Sequence, residues 1–223
     1  MIVPRERMLQ IEPRTITRGV PADVLMESAG TKLARCASQF FPHPGLVVCY
    51  AGKGHNAGDS FVAARHLAES GWRVLVRSPF AKAELAPLTR DKLGLLGAEI
   101  LPRPFEPSTP LEGPLLLLDA LVGLGAQGNL RDPLAALAAE MNRLRRTCGA
   151  RTLAVDFPSG LDADTGAPGD PCVQADITAT IGFAKSGLVA DAATDFVGRL
   201  AVLGLPEFGE PDVGVPQVIT APL

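Results

Sequence analysis

Three loops in this chain of 223 residues bring aspartates and glycines to the ends of apolar runs. The first, Gly52 to Asp59, follows LVVCY from Leu46 and reads GKGHNAGD. Glycines at Gly52, Gly54 and Gly58 would let backbone N–H groups approach a ligand closely, and the start of a following helix favours negative charge. Phosphate is the guest that such a loop suits. The spacing is the GxGxxA variant of the dinucleotide fingerprint, Gly52-x-Gly54-x-x-Ala57, but the next strand ends in Arg77 rather than in an acid. No GK[ST] follows, so the loop is not a P-loop. A tight turn with Asp59 stabilising the helix start accounts for the same residues.

The second loop, Asp119 to Asn129, begins directly after four leucines. A carboxylate there is costly unless it is hydrogen-bonded or meets a cation; a loop carboxylate accepting backbone N–H bonds is the plainer account. The third, Asp156 to Gly166, repeats the arrangement after TLAV, with Pro158-Ser159-Gly160 next. There Asp156 is either a proton-transfer group or the cap of a Pro-Ser-Gly turn. Two aspartates at two strand ends argue for chemistry more strongly together than either does alone. The stretch DADTG at Asp162 has its glycine at the wrong position for a calcium loop and lacks the bidentate glutamate.

These loops need elements to hold them. In PADVLMESAGTKLARCASQFF, Leu25, Ala29, Leu33, Ala37 and Phe41 recur every four residues on one helix face, with Pro21 at its start. LVVCY reads as a fully buried strand. A helix from about Gly58 to Ser70, ended by Gly71, and the strand WRVLV come next. LTRDKLGLLG is a short helix and LLLLDA a strand. DPLAALAAEMNRLRR is a helix with Leu134, Leu137, Ala138, Met141 and Leu144 on one face, and TLAV, DITATIGF and RLAVLGL are strands. Strands alternating with helices predict an α/β fold: a Rossmann-like, doubly wound, mostly parallel sheet with helices on both faces. One domain over 1–223 is expected, with PRPFEPSTPLEGP as a surface loop and the tail from Glu207 irregular. Ligands of such a fold bind beyond the carboxyl ends of the strands, so the three loops would share one site.

Composition narrows the function. The formal net charge is -3, and the cluster Arg143, Arg145 and Arg146 suits a helix C-terminus better than a nucleic-acid patch. Cys36, Cys49, Cys148 and Cys172 form no CxxC pair, which favours free thiols in a reducing compartment over zinc or disulfides. No apolar stretch suits a signal peptide or a membrane span. A cytoplasmic protein without nucleic-acid or membrane partners is expected.

Four segments then converge on a known family. VLMESAG (Val24 to Gly30) is similar to an LMExAG helix, GKGHNAGDSFVAARHL to a GxGNNGGDGxVAARxL loop and helix, and LLDALVGLGAQGNLRDP to a DALfGtG segment. LAVDFPSGLDADTG with ADITATIGFAKSGL resembles vDiPSGldadtG followed by AdxTxTfgxxKxG. In this order, from about Val24 to Leu203, the chain resembles the NAD(P)H-hydrate epimerases, the YjeF N-terminal domain family. The resemblance implies a dimeric Rossmann-like enzyme that interconverts the R and S hydrates of NADH and NADPH, working beside a separate ADP- or ATP-dependent dehydratase; no dehydratase domain is expected in this chain. It implies a potassium ion on Asn56, Asp119 and Ser159. It implies NADHX or NADPHX binding by His55, Asn56, Ala57, Gly58, Asp59, Gly123, Leu124, Gly125, Ala126, Gln127, Gly128, Asn129 and Asp156. Asp156 is the expected catalytic acid and base, and Lys185 is placed near the site, a surface lysine being the alternative. His55, Ala57 and Ser60 replace an asparagine and two glycines of the family pattern. If Ala57 has positive φ, the alanine is strained there; Ser60 would add a hydroxyl donor for phosphate. Two rivals stand beside the epimerase: a non-catalytic dimeric scaffold like the similar domain of mRNA-decapping enhancers, and an enzyme of another nucleotide or sugar phosphate.

Overall fold

A computed structural model of the chain describes residues 2–107 and 113–209, and the backbone of 217–219. In chain order the elements are β1 (Ile2–Val3), α1 (Arg5–Thr17), α2 (Ala22–Phe40), β2 (Leu46–Ala51), α3 (His55–Glu69), β3 (Arg73–Arg77), α4 (Pro87–Leu96) and β4 (Ile100–Leu101). Then come β5 (Leu115–Ala120), α5 (Leu134–Cys148), β6 (Arg151–Val155), β7 (Ile177–Ile181), β8 (Ala184–Lys185), α6 (Thr194–Val197), β9 (Arg199–Leu203) and β10 (Gln217–Ile219).

The main sheet runs β10-β9-β7-β6-β5-β2-β3-β4. All neighbours pair in parallel except β10, which lies antiparallel on β9. The chain winds outward from β2 to β4 and then returns to β5 on the other side of β2. The direction of winding therefore reverses between β2 and β5, which opens a crevice at their carboxyl ends.

Side-chain alternation along the strands divides the core in two. Val47, Cys49 and Ala51 of β2 join Leu116, Leu118 and Ala120 of β5 on the face covered by α2 and α3, through Leu33, Ala37, Phe61 and Leu67. Val48, Tyr50, Leu115 and Leu117 point the other way and meet Leu137, Met141 and Leu144 of α5. Every residue of β2 and β5 is buried, so these strands read as continuous apolar runs.

The predicted architecture holds, with three differences in detail. Helix α3 begins at His55, three residues before its expected start, because Gly54 already takes the extended cap conformation. The tail contains β10 where irregular chain was expected; residues 210–216 and 220–223 of that tail, and 108–112 of the Pro-rich loop, lie outside the described residues. The N-terminal segment forms α1, which the sequence reading did not include. The apolar face of α2 is spent inside the chain: Leu25, Ala29, Leu33 and Ala37 are buried.

Candidate active site

A cavity of about 910 Å³ opens at the crevice between β2 and β5. Its walls are the start of α3 (His55, Asn56, Asp59), the loop after β5 (Leu121 to Ala126), Asp156 after β6, and one side of α1 (Met8, Leu9, Glu12, Pro13, Ile16, Thr17). The three loops singled out in the sequence therefore meet. Gly123, Leu124, Gly125 and Ala126 line this cavity, whereas Gln127, Gly128 and Asn129 line a smaller cleft beside it.

The glycines of the first loop have different tasks. A Cβ on Gly52 would lie 1.9 Å from the Leu121 carbonyl oxygen, so this glycine lets the ends of β2 and β5 close on one another. A Cβ on Gly58 would lie 2.5 Å from Met26 Sδ, so Gly58 serves the packing of α3 on α2. Only Gly54 faces open space. Among the first helical N–H groups, that of Ala57 bonds back to the Gly54 carbonyl at 3.2 Å, which leaves those of His55 and Asn56 at the open helix start. Ala57 is helical and buried, so its methyl brings no backbone strain. Ser60 is buried and donates to the Ala57 carbonyl at 2.7 Å; it offers nothing to a phosphate.

Beneath the cavity floor, Asn56, Val122, Ser159 and Asp119 form one chain of hydrogen bonds. Asn56 Nδ2 donates to the Val122 carbonyl at 2.9 Å, and Val122 N–H donates to Ser159 Oγ at 3.2 Å. Ser159 gives its hydroxyl to Asp119 Oδ1 at 2.6 Å and its N–H to Oδ2 at 2.7 Å. Asp119 and Ser159 are fully buried. Burial pushes Asp119 up to about 6, against the three hydrogen bonds from Ser159 and Leu121 that hold it down. Among the described residues no Lys or Arg pairs with this carboxylate, although a buried anion ordinarily has a cation near it. The side chains present are hard oxygen ligands with one carboxylate between them, and no group of three or more His, Cys, Asp or Glu side chains gathers among the described residues. Such a set fits a weakly charged cation and not a transition metal.

Asp156 is the one residue other than glycine with positive φ among the described residues, at 66°. Aspartate tolerates this left-handed conformation better than most side chains do, and positions so constrained cluster at functional sites. Its Oδ1 accepts from Ile181 N–H at 2.8 Å, from Thr180 Oγ1 at 3.3 Å and from the ammonium of Lys185. No hydrogen bond from the described residues reaches Oδ2. Lys185 is fully buried, not the surface lysine considered as the alternative. It is not among the cavity-lining residues, whereas its partner Asp156 is. Asp59 is half-buried at the cavity wall and accepts no hydrogen bond from the described residues. Burial pushes its carboxyl well above the usual carboxylate range, and the Asp156 and Glu12 carboxylates add to the shift.

The sequence reading missed the N-terminal wall. Strand β1 pairs with β8, aligning Val3 with Lys185. Val3 and Met8 pack on Phe183, and Arg5 Nε donates to the Leu124 carbonyl at 2.7 Å. The available signal was Met8, Ile11 and Thr15 at helical spacing. Five charged residues from Arg5 to Arg14, and Pro13 inside the helix, diluted it. The buried thiols Cys36, Cys49 and Cys172 are pushed up to about 12 by burial, which keeps them inert. No helix among the described residues is long and apolar enough to cross a membrane.

Comparison with known proteins adds sequence relatives to this geometry. The family model described as YjeF-related protein N-terminus matches residues 22–187. The bifunctional NAD(P)H-hydrate repair enzyme Nnr of Pyrobaculum aerophilum is 38% identical over 213 residues, covering 88% of this chain and 40% of that protein. The protein of the same name from Methanopyrus kandleri is 34% identical over 229 residues, covering 99% of this chain and 45% of its own. The chain thus spans less than half the length of these curated relatives. Among solved structures, that of yeast ynu0 superposes with a TM-score of 0.78 over 98% of this chain and 99% of that one, at 20% identity, a likeness of fold. With most of its length matched by the family model and by relatives above 30% identity, the chain belongs to the YjeF-related N-terminal family.

Proposed function

We propose that this chain is an epimerase of hydrated NADH and NADPH, with Asp156 as its acid–base residue. The observation that carries the reading is the Asp156 carboxyl: held at positive φ, tied down through Oδ1 only with Oδ2 left without a hydrogen bond from the described residues, and lining the cavity at the reversal of the sheet. The names of the sequence relatives, which refer to NAD(P)H-hydrate repair, supply the substrate class.

Epimerisation requires the hydroxyl on the hydrated carbon to leave and return on the other face, or the ring to open and close. Either route needs a group that gives a proton and takes one back. In this reading the pyrophosphate lies against the His55 and Asn56 N–H groups at the start of α3, and the glycines of the loop after β5 leave room for the nucleotide. Asn56, Asp119 and Ser159 would hold a potassium ion. Bound there, it would balance the buried Asp119 charge and stiffen the floor through Val122. Asp156, aimed by Lys185 and the Ile181 N–H, exchanges the proton of the hydroxyl carried by the hydrated carbon.

A dimer belongs to the same reading. The apolar side chain exposed on α2, Val24, belongs to the surface it would use, since the inner face of α2 is already buried and Leu9 and Ile16 of α1 line the cavity. The test of function is direct. R-enriched hydrate is mixed with the pure protein, and formation of the S epimer is followed by a dehydratase that consumes only S. Turnover above the uncatalysed rate is expected. Binding of the hydrate without turnover would favour the scaffold, and turnover only of another nucleotide or sugar phosphate would favour the second rival.

A further inference from the structure

We infer that Asp59 is a second acid–base residue of this site, donating the proton that Asp156 does not. The inference rests on the epimerase reading and assigns its proton donor.

The two carboxyls reach the cavity from different strands. Asp59 stands on the first turns of α3 after β2, and Asp156 follows β6, with β5 between those strands. Both carboxyls line the same cavity, Asp59 from the second turn of α3 and Asp156 from just beyond the end of β6, so a substrate ring in that cavity has a carboxyl on each wall. The environments of the two differ. Asp156 is paired with Lys185 and takes the Ile181 N–H. Asp59 has neither a cation nor a hydrogen-bond donor among the described residues. The charged groups that line the cavity with it are Glu12 on α1, Asp156 itself, Lys53 in the loop after β2 and His55 at the start of its own helix. Of these, the Asp156 and Glu12 carboxylates act on Asp59 and, with burial, favour its neutral form. A carboxyl whose surroundings favour its neutral form, sharing a cavity with one paired to a lysine, can divide the roles of acid and base with it.

The step balances. Asp59 gives its proton to the substrate hydroxyl, the C–O bond breaks, and water departs while the electron pair of the adjacent ring nitrogen forms a C=N bond. Water adds to that carbon from the other face, its proton passes to Asp156, and the C=N pair returns to nitrogen. One proton has moved from Asp59 to Asp156. The opposite epimerisation runs the same path with the roles exchanged, and exchange with solvent resets the pair.

The test compares wild type with Asp59→Asn in the whole chain. Expected is a fall in kcat of about a hundredfold or more, with KM changed less than about threefold. The loss of rate that wild type shows at high pH, as the donor ionises, should vanish from the residual activity. Carboxyl-carbon NMR on aspartate-labelled protein gives a second readout that needs no turnover. The Asp59 midpoint should lie well above the ordinary carboxylate range and fall when Asp156→Asn removes the neighbouring charge. Should Asp59→Asn fold poorly, Asp59→Glu keeps the donor and should retain measurable turnover, and the NMR midpoint still decides. Wild-type turnover with Asp59→Asn active within threefold, or an ordinary Asp59 midpoint, would overturn the role of Asp59 and leave the epimerase reading standing. Wild type without turnover would overturn both.

Discussion

Lys185 donates to the same Asp156 oxygen that accepts the Ile181 N–H, and its other two donors go to Thr180 Oγ1 at 2.9 Å and the Ile181 carbonyl at 3.0 Å. All three ammonium protons are thus committed, two of them to the strand end that supports the carboxyl. The lysine fixes which Asp156 oxygen is left for chemistry. Lys185→Met would strand a mostly buried carboxylate. It should cost roughly 3 kcal/mol in urea unfolding, as expected for one half of a buried ion pair. With Asp156→Asn in the same chain the combined cost should fall short of the sum of the two singles by roughly 1–3 kcal/mol. Additive costs would show that the pair is not coupled.

The buried Asp119 makes a prediction about potassium with a defined sign. Its pKa rises on folding from 3.8 to about 6, so the folded state holds the extra proton between those values. Without a bound cation, stability should decline as pH rises through that window, by roughly 3 kcal/mol in total from this group. A cation that needs the ionised carboxylate should raise the melting temperature at about pH 7.5 and have little effect at about pH 5. Choline, a cation whose methyl groups keep oxygen ligands from coordinating its charge, should do neither. Asp119→Asn should remove the potassium response; a response that survives would place the ion elsewhere.

The glycine loop can be dissected by two substitutions of equal chemistry. Gly52→Ala would place a methyl 1.9 Å from a backbone oxygen, so β2 and β5 must separate. A loss of about 1–3 kcal/mol is expected. Gly54→Ala meets nothing within 4 Å at a φ of -90°, and should change stability by less than about 0.5 kcal/mol. If the pyrophosphate lies at the start of α3, however, Gly54→Ala should weaken dinucleotide binding measured by calorimetry. Equal stability costs for both would contradict the division of tasks between these glycines.

The sheet was legible in the sequence because β2 and β5 are buried on both faces and therefore read as unbroken apolar runs bounded by glycine. The three loops were legible because carboxylates directly after such runs stand out. What escaped was set by tertiary contact. Gly58 looked like a phosphate-loop glycine, but its missing side chain serves Met26 on a helix remote in sequence. Helix α1 carries too little apolar periodicity to be read alone, and it is anchored by Val3 and Met8 packing on Phe183, far along the chain. The burial of Lys185 depends on a partner 29 residues away, which no local pattern reports.

The most direct measurement of the central claim is the epimerisation rate of Asp156→Asn beside its melting curve. Asparagine adopts positive φ as readily as aspartate and can still accept the Ile181 N–H, so the fold should persist. It cannot exchange a proton at neutral pH. The account predicts turnover reduced to the uncatalysed rate in a protein that still melts cooperatively. Turnover within threefold of wild type would contradict the assignment of Asp156 as the acid–base residue.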